Sequence, residues 1–218
     1  MNNGKKSIDE MFDDLMKVVD KYYATRRSTF PLPRLTLILD LDETLVHSEL
    51  LSAHMHPSDK PADLEFTIFR NEADQKSVRM FKRPGVVEFL RNVANFCNVI
   101  IFTASLPEYA DPILDLIDTD NVISKRLYRA STITYAHRKN IKCLRRLGFE
   151  LTRTVLVDNN PDKVNELCNV YPITSFYDNN CDDALSTLFI HLKMLADVKD
   201  VRPALKTLCS QDPTGFFR

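Results

Sequence analysis

The sequence predicts an α/β fold, a parallel sheet flanked by helices with a small antiparallel β insertion after the first strand. From Leu35 onward, short runs rich in Val, Ile, Leu and Phe alternate with segments of helical periodicity, the pattern of parallel strands joined by crossover helices. Between Ser48 and Arg83 that alternation is broken by two β-rich runs, LEFTIFR and SVRMFK, about a polar NEADQK connection, which reads as a hairpin.

The elements follow in chain order. IDEMFDDLMKVVDKYY places Ile8, Met11, Phe12, Leu15, Val18, Val19 and Tyr22 on one face at steps of three and four, so it reads as an amphipathic helix that either docks on the domain or binds a partner. TRRSTFPLPR is a linker, because prolines bracket Leu32 and block regular pairing. LTLILDL is the first strand, PGVVEFLRNVANF a helix with proline in its first turn, and NVIIFTA a strand. PEYADPILDLID and HRKNIKCLRRLG read as helices, the second stopped by Gly148, and TRTVLVDN as a third buried strand. PDKVNELC reads as a short helix, YPITSFYD as a fourth strand segment and DDALSTLFIHLKMLADV as a closing helix. The expected organisation is a helix and linker over 1–34, one domain over 35–198 with its insertion at 48–83, and a tail over 199–218.

Bulk numbers narrow the function. Twenty-nine basic residues against 30 acidic ones leave no field that would argue for direct nucleic-acid binding, and no apolar run approaches a membrane span. Five cysteines without a C-x-x-C pair suit a reducing, intracellular compartment. Only four glycines occur, far apart, which removes the clustered-glycine loops that cradle nucleotide phosphates.

The chemistry concentrates at strand ends. LILDLDETLVHS closes a buried strand with Asp40 and Asp42, and LVDNNPDK closes another with Asp158, Asn159 and Asn160. Ligand sites in open α/β sheets form at the carboxyl ends of strands. Oxygen-rich clusters on two strands, with no His or Cys among them, suit a hard cation such as Mg²⁺. Acids ending a strand also serve as turn or cap residues, which is the plainer reading of either cluster alone. In IIFTAS, Thr103 and Ser105 sit where hydroxyls could donate to an oxyanion, and Lys142, read as helical, could present an ammonium from the side. Together these groups suit phosphoryl transfer through an aspartyl-phosphate.

The order D-x-D-x-T, T/S, K, D-N resembles the haloacid-dehalogenase superfamily, with its Rossmannoid sheet. Within it DLDETLVHS, KRPGVVEFL, FTASLPEYADPILDLID and LVDNNP are similar to the FCP/SCP-type (NIF-like, CTD small phosphatase-like) protein phosphatases. The resemblance implies a Mg²⁺-dependent protein serine/threonine phosphatase whose partner is a phosphorylated protein or peptide. The usual substrate class is a phosphoserine-proline segment such as the RNA polymerase II C-terminal domain. It implies Asp40 as nucleophile and Asp42 as general acid and base. Mg²⁺ would lie on the Asp40 carboxylate, the Asp42 backbone carbonyl and Asn159, with Asp158 as a further ligand or as partner to a bound water, and Thr103 and Lys142 on phosphoryl oxygens. Arg129, Tyr109 and Leu106 match substrate-contacting positions. A non-catalytic scaffold or receptor of the same fold, like the Tim50-like relatives, is the alternative.

The chain departs from the family pattern in places. K-C-L, with Cys143, replaces K-D-L and leaves Lys139 as a rival for the lysine role; Cys143 itself reads as an inert residue. Leu50 stands where relatives carry an aromatic residue. His54 and His56 lack a third ligand and read as surface-loop residues rather than a metal site.

Overall fold

The computed structural model describes residues 32–51, 59–71, 74–135 and 137–210. The expected N-terminal helix and the His54/His56 pair lie outside the described residues.

Five parallel strands form the central sheet in the order β10-β9-β1-β5-β6: β1 Leu35–Leu39, β5 Cys97–Phe102, β6 Ile123–Leu127, β9 Thr154–Asp158 and β10 Val170–Pro172. Side chains alternate across a strand, and the core divides accordingly. Leu35, Leu37 and Leu39 of β1, with Val99 and Ile101 of β5 and Val155 and Val157 of β9, join one apolar cluster; Ile38, Ile100, Phe102 and Leu156 join another. The larger cluster takes the buried faces of α1 (Val86–Val93), α2 (Pro107–Ile117), α3 (Ala184–Ala196) and α4 (Val201–Ser210). Gly85 begins α1 at φ 76, a left-handed conformation that a side chain would strain, and Pro107 begins α2 with a φ already set for a helix.

The expected insertion is present and larger than a hairpin. β3 (Leu64–Asn71) and β4 (Asp74–Lys82) pair antiparallel, and β2 (Val46–Leu51) adds a third strand in the order β2-β4-β3.

Four local expectations are corrected. The helix read over HRKNIKCLRRLG is absent: β8 (Arg138–Ile141) pairs antiparallel with β7 (Ile133–Tyr135), and a 3₁₀ turn, Arg145–Leu147, follows. His137 and Asn140 adopt positive φ, which an α-helix cannot hold. Gly148 does end that turn, at φ 77. PDKVNELC forms two 3₁₀ turns, Pro161–Lys163 and Leu167–Asn169, rather than one helix. The strand read over YPITSFYD is confined to β10, because beyond Pro172 the chain leaves the ladder to bind the first-strand loop through Phe176 N–H and Glu43 O at 2.8 Å. The stretch read as a tail carries α4, which buries Val201, Leu205 and Cys209.

Arg83 ties these pieces together. Fully buried, its guanidinium donates to Thr44 O at 2.9 Å, to Thr174 O at 2.9 Å and bidentately to the Asp182 carboxylate at 2.7 and 2.8 Å. Arg83→Met is expected to lower unfolding free energy by about 3 kcal/mol or more, since it leaves two carbonyls without their donor and the Asp182 carboxylate without its cation, with only Ala184 N–H among the described residues still on it. A shift of the urea midpoint by less than a third of that would contradict it.

Candidate active site

The site forms where β1, β5 and β9 end side by side. Asp40 N–H still donates to Val157 O at 3.0 Å, so Asp40 leaves the sheet next to Asp158, the last residue of β9. After Asp40 the chain curls tightly: the N–H groups of Thr44, Leu45 and Val46 all point at Leu41 O (3.3, 2.9 and 3.2 Å), and Glu43 takes a φ of 57. That curl carries Asp42 out of the sheet towards solvent while Asp40 stays buried.

Lys142 occupies the space between the two strand ends. Its Nζ donates to Asp40 Oδ1 at 2.5 Å and to Asp158 Oδ2 at 2.7 Å, with 3% of its side chain exposed. It reaches this position from a bridge, not a helix: Lys142 N–H donates to Lys163 O at 2.7 Å, and Lys142 O accepts from Asn165 N at 2.9 Å. The next turn is fixed by the buried Glu166 carboxylate, which accepts from the N–H of Leu144 at 2.7 Å. Lys139, the rival lysine, is exposed on β8, and its carbonyl accepts from Lys163 Nζ.

One ammonium between two carboxylates leaves the pocket short of positive charge. Burial pushes the Asp40 carboxyl up to about 7, the Lys142 ammonium opposes that rise, and Asp158 and Asp42 reinforce it. Burial pulls Lys142 down, but Asp40 and Asp158 outweigh it and hold its pKa above the ordinary lysine value.

The remaining oxygens suit a hard cation. Thr44 Oγ1 lies 3.5 Å from Asp40 Oδ2 and 3.4 Å from Asn159 Oδ1, both longer than a good hydroxyl hydrogen bond, so it brings the two strand-end oxygens near one another without binding either closely. Asn159 Nδ2 donates to Ser175 Oγ at 2.9 Å, which leaves the amide oxygen on the Thr44 side. Both Asp158 oxygens are engaged, Oδ1 accepting from Asn160 N–H at 2.7 Å and Oδ2 from Lys142. Among the described residues no group of three or more His, Cys, Asp and Glu side chains is placed to hold a metal ion. These donors fit Mg²⁺, which accepts carboxylate, amide and water oxygens.

Asp42 has different surroundings. Ser105 Oγ donates to its Oδ2 at 2.7 Å, the Tyr109 hydroxyl donates to its Oδ1, and Thr103 Oγ1 lies 3.5 Å from Oδ2. Thr103 is fully buried, its oxygen held by Ser105 N–H at 2.9 Å. Ser105, read in the sequence as an oxyanion donor, spends its hydroxyl on Asp42. A cleft of about 680 Å³ opens here, lined by Asp42, Ser105, Tyr109, Leu106, Arg129 and residues of the insertion. Leu50 at 42%, Phe69 at 67% and Leu106 at 43% exposure give it an apolar floor. Arg129 is fastened beside it, its Nε donating to Ala104 O at 2.6 Å.

Asp40, Asp42, Thr103, Lys142, Asp158 and Asn159 therefore gather at the strand ends, with Leu106, Tyr109 and Arg129 on the adjoining cleft, whereas Lys139 lies away on β8. Thr44, Ser175 and Arg83 were not assigned. Thr44 closes the D-x-D-x-T run and Arg83 lies in KRPG, so both had a sequence signal; Ser175 had none.

Residues 35–202 match the family model of the NLI interacting factor-like phosphatases. A probable C-terminal domain small phosphatase of Dictyostelium discoideum is 42% identical over 172 residues, covering 78% of this chain and 53% of that protein. The mouse CTD small phosphatase-like protein is 35% identical over 193 residues, 88% of this chain and 67% of that protein. The human carboxy-terminal domain RNA polymerase II polypeptide A small phosphatase 1 is 35% identical over 175 residues, 79% and 64%. This chain spans about half the length of the Dictyostelium relative. Among solved structures, the fission yeast RNA polymerase II CTD phosphatase Fcp1 bound to beryllium fluoride aligns with a TM-score of 0.55 at 18% identity, covering 92% of this chain and 58% of that one, a likeness of fold. The chain belongs to the NLI interacting factor-like phosphatase family.

Proposed function

We propose that the chain is a Mg²⁺-dependent protein serine/threonine phosphatase acting through an aspartyl-phosphate on Asp40, with phosphoserine-proline segments such as the RNA polymerase II C-terminal domain as its substrate class. The observation that carries this reading is the contrast between two carboxylates two residues apart. Asp40 is buried on an ammonium, and Asp42 stands at the mouth of an open cleft among hydroxyls. Neighbouring acids in unlike environments are how one site runs nucleophilic and acid–base chemistry together.

In the first half-reaction an Asp40 oxygen attacks phosphorus. The P–O bond to the seryl or threonyl oxygen breaks with its electron pair, and Asp42 gives that oxygen a proton. In the second, Asp42 takes a proton from water as the water attacks phosphorus, releasing phosphate and freeing the Asp40 carboxylate. Lys142 fixes Asp40 for attack and, with the Thr103 hydroxyl, balances charge on the phosphoryl oxygens. The Asp40 carboxylate, the Asp42 backbone carbonyl and Asn159 would hold Mg²⁺, with Asp158 orienting a bound water. Bound Mg²⁺ would supply Lewis-acid stabilisation of the transferring group.

The cleft favours an extended protein segment over a sugar phosphate, because apolar side chains line it and the insertion is a small sheet. Names of relatives support the same substrate class. The test is hydrolysis of p-nitrophenyl phosphate, phosphoserine-proline peptides and sugar phosphates, with Mg²⁺ or EDTA. Peptide and aryl phosphate turnover is expected with Mg²⁺, with loss in EDTA and recovery on adding Mg²⁺. No turnover of any substrate would favour the non-catalytic scaffold, and turnover of sugar phosphates alone would reassign the substrate.

A further inference from the structure

We infer that Tyr109 and Ser105 are positioning residues for the Asp42 proton, their hydroxyls holding the carboxyl group in the one orientation from which it can serve a leaving oxygen in the cleft. The inference rests on the phosphatase reading above and adds to it, since the resemblance placed Tyr109 only against substrate and the strand-end position of Ser105 suggested only an oxyanion donor.

Asp42 Oδ1 takes the Tyr109 hydroxyl, and Oδ2 takes the Ser105 hydroxyl at 2.7 Å with Thr103 Oγ1 farther off at 3.5 Å. A carboxylate offers about four lone-pair sites, so these bonds leave roughly one open on each oxygen for a travelling proton. Two donors on opposite oxygens also stop the carboxyl plane from rotating, which a single bond would not. Both donors are anchored by contacts of their own. Ser105 follows the buried Thr103, its N–H on Thr103 Oγ1 and its carbonyl on Arg129 N–H at 3.1 Å. Tyr109 lies in the first turn of α2, where its N–H donates to Leu106 O at 3.2 Å, and its ring packs at 6.3 Å from that of Phe66 in the insertion. Asp42, Ser105 and Tyr109 line the same cleft, where the leaving oxygen must sit.

As the P–O bond breaks, its electron pair goes to the leaving oxygen, which takes the Asp42 proton. The need for that proton grows with the basicity of the leaving group. A misaligned acid therefore costs little for p-nitrophenolate, a weak base, and much for phenolate, whose conjugate acid has a pKa of about 10.

The experiment is kcat/KM for a series of ring-substituted phenyl phosphates with Mg²⁺, for the native chain, Tyr109→Phe, Ser105→Ala and the double variant. Tyr109→Phe keeps the ring and its contact with Phe66, and circular dichroism with the urea midpoint checks that each variant is folded. Tyr109→Phe is expected to lose roughly tenfold or more on phenyl phosphate and a clearly smaller factor on p-nitrophenyl phosphate. The slope against leaving-group pKa should thus steepen, and steepen further in the double variant. An equal loss across the series, or a loss confined to phosphopeptide KM, would overturn the positioning role and leave the phosphatase intact. Absence of turnover by the native chain on every aryl phosphate and on phosphopeptide would overturn both.

Discussion

Asp40→Asn is expected to lower turnover of p-nitrophenyl phosphate and of phosphopeptide by roughly 10⁴-fold or more, the scale on which removing a covalent nucleophile acts. The amide is nearly isosteric, so folding should survive, but its oxygen is a poor nucleophile and its nitrogen would face the Lys142 ammonium that Asp40 now accepts from at 2.5 Å. Steady-state kinetics on the two substrates, with the urea midpoint as a folding control, measures it. Activity within tenfold of the native chain would mean that the phosphoryl group never resides on Asp40.

Lys142→Met is expected to damage both stability and rate. Methionine fills the space of the lysine stem, yet it strands Asp40 and Asp158 as buried carboxylates, and breaking such a cluster costs about 3–5 kcal/mol. The cost should be largest in EDTA and smaller in Mg²⁺, because a bound cation would replace part of the missing charge. Urea denaturation under both conditions measures this. The kcat/KM of the folded variant should fall by roughly 10²- to 10³-fold, as when a preorganised donor to a transferring group is removed. Equal stability losses with and without Mg²⁺ would argue against a cation bound near Lys142.

What could be read beforehand, and what could not, follows from how far each feature reaches along the chain. β1, β5 and β9 were legible because each is an apolar run with a buried face on both sides, and Asp40, Asp42, Asp158 and Asn159 because they end such runs. The segment around Lys142 was misread because apolar spacing alone does not separate an α-helix from a hairpin followed by a 3₁₀ turn. The lysine nevertheless reaches its site, since its own N–H and C=O are pinned to residues 163 and 165. The hydroxyls on Asp42 come from 63 and 67 residues away, and the Arg83–Asp182 pair spans 99. No periodicity encodes contacts of that kind. They arise when the strand ends are brought together.

The measurement that bears most directly on the central claim is chemical trapping of the covalent intermediate. The chain is mixed with phosphopeptide and Mg²⁺, quenched in acid, and treated with borohydride, which reduces an acyl phosphate to an alcohol; peptide mass spectrometry then locates the change. Reduction is expected at Asp40 alone, only when substrate and Mg²⁺ are both present, and is expected to vanish in Asp40→Asn. Phosphopeptide turnover without any trapped residue, or with the change at Asp42 or at Asp158, would contradict it.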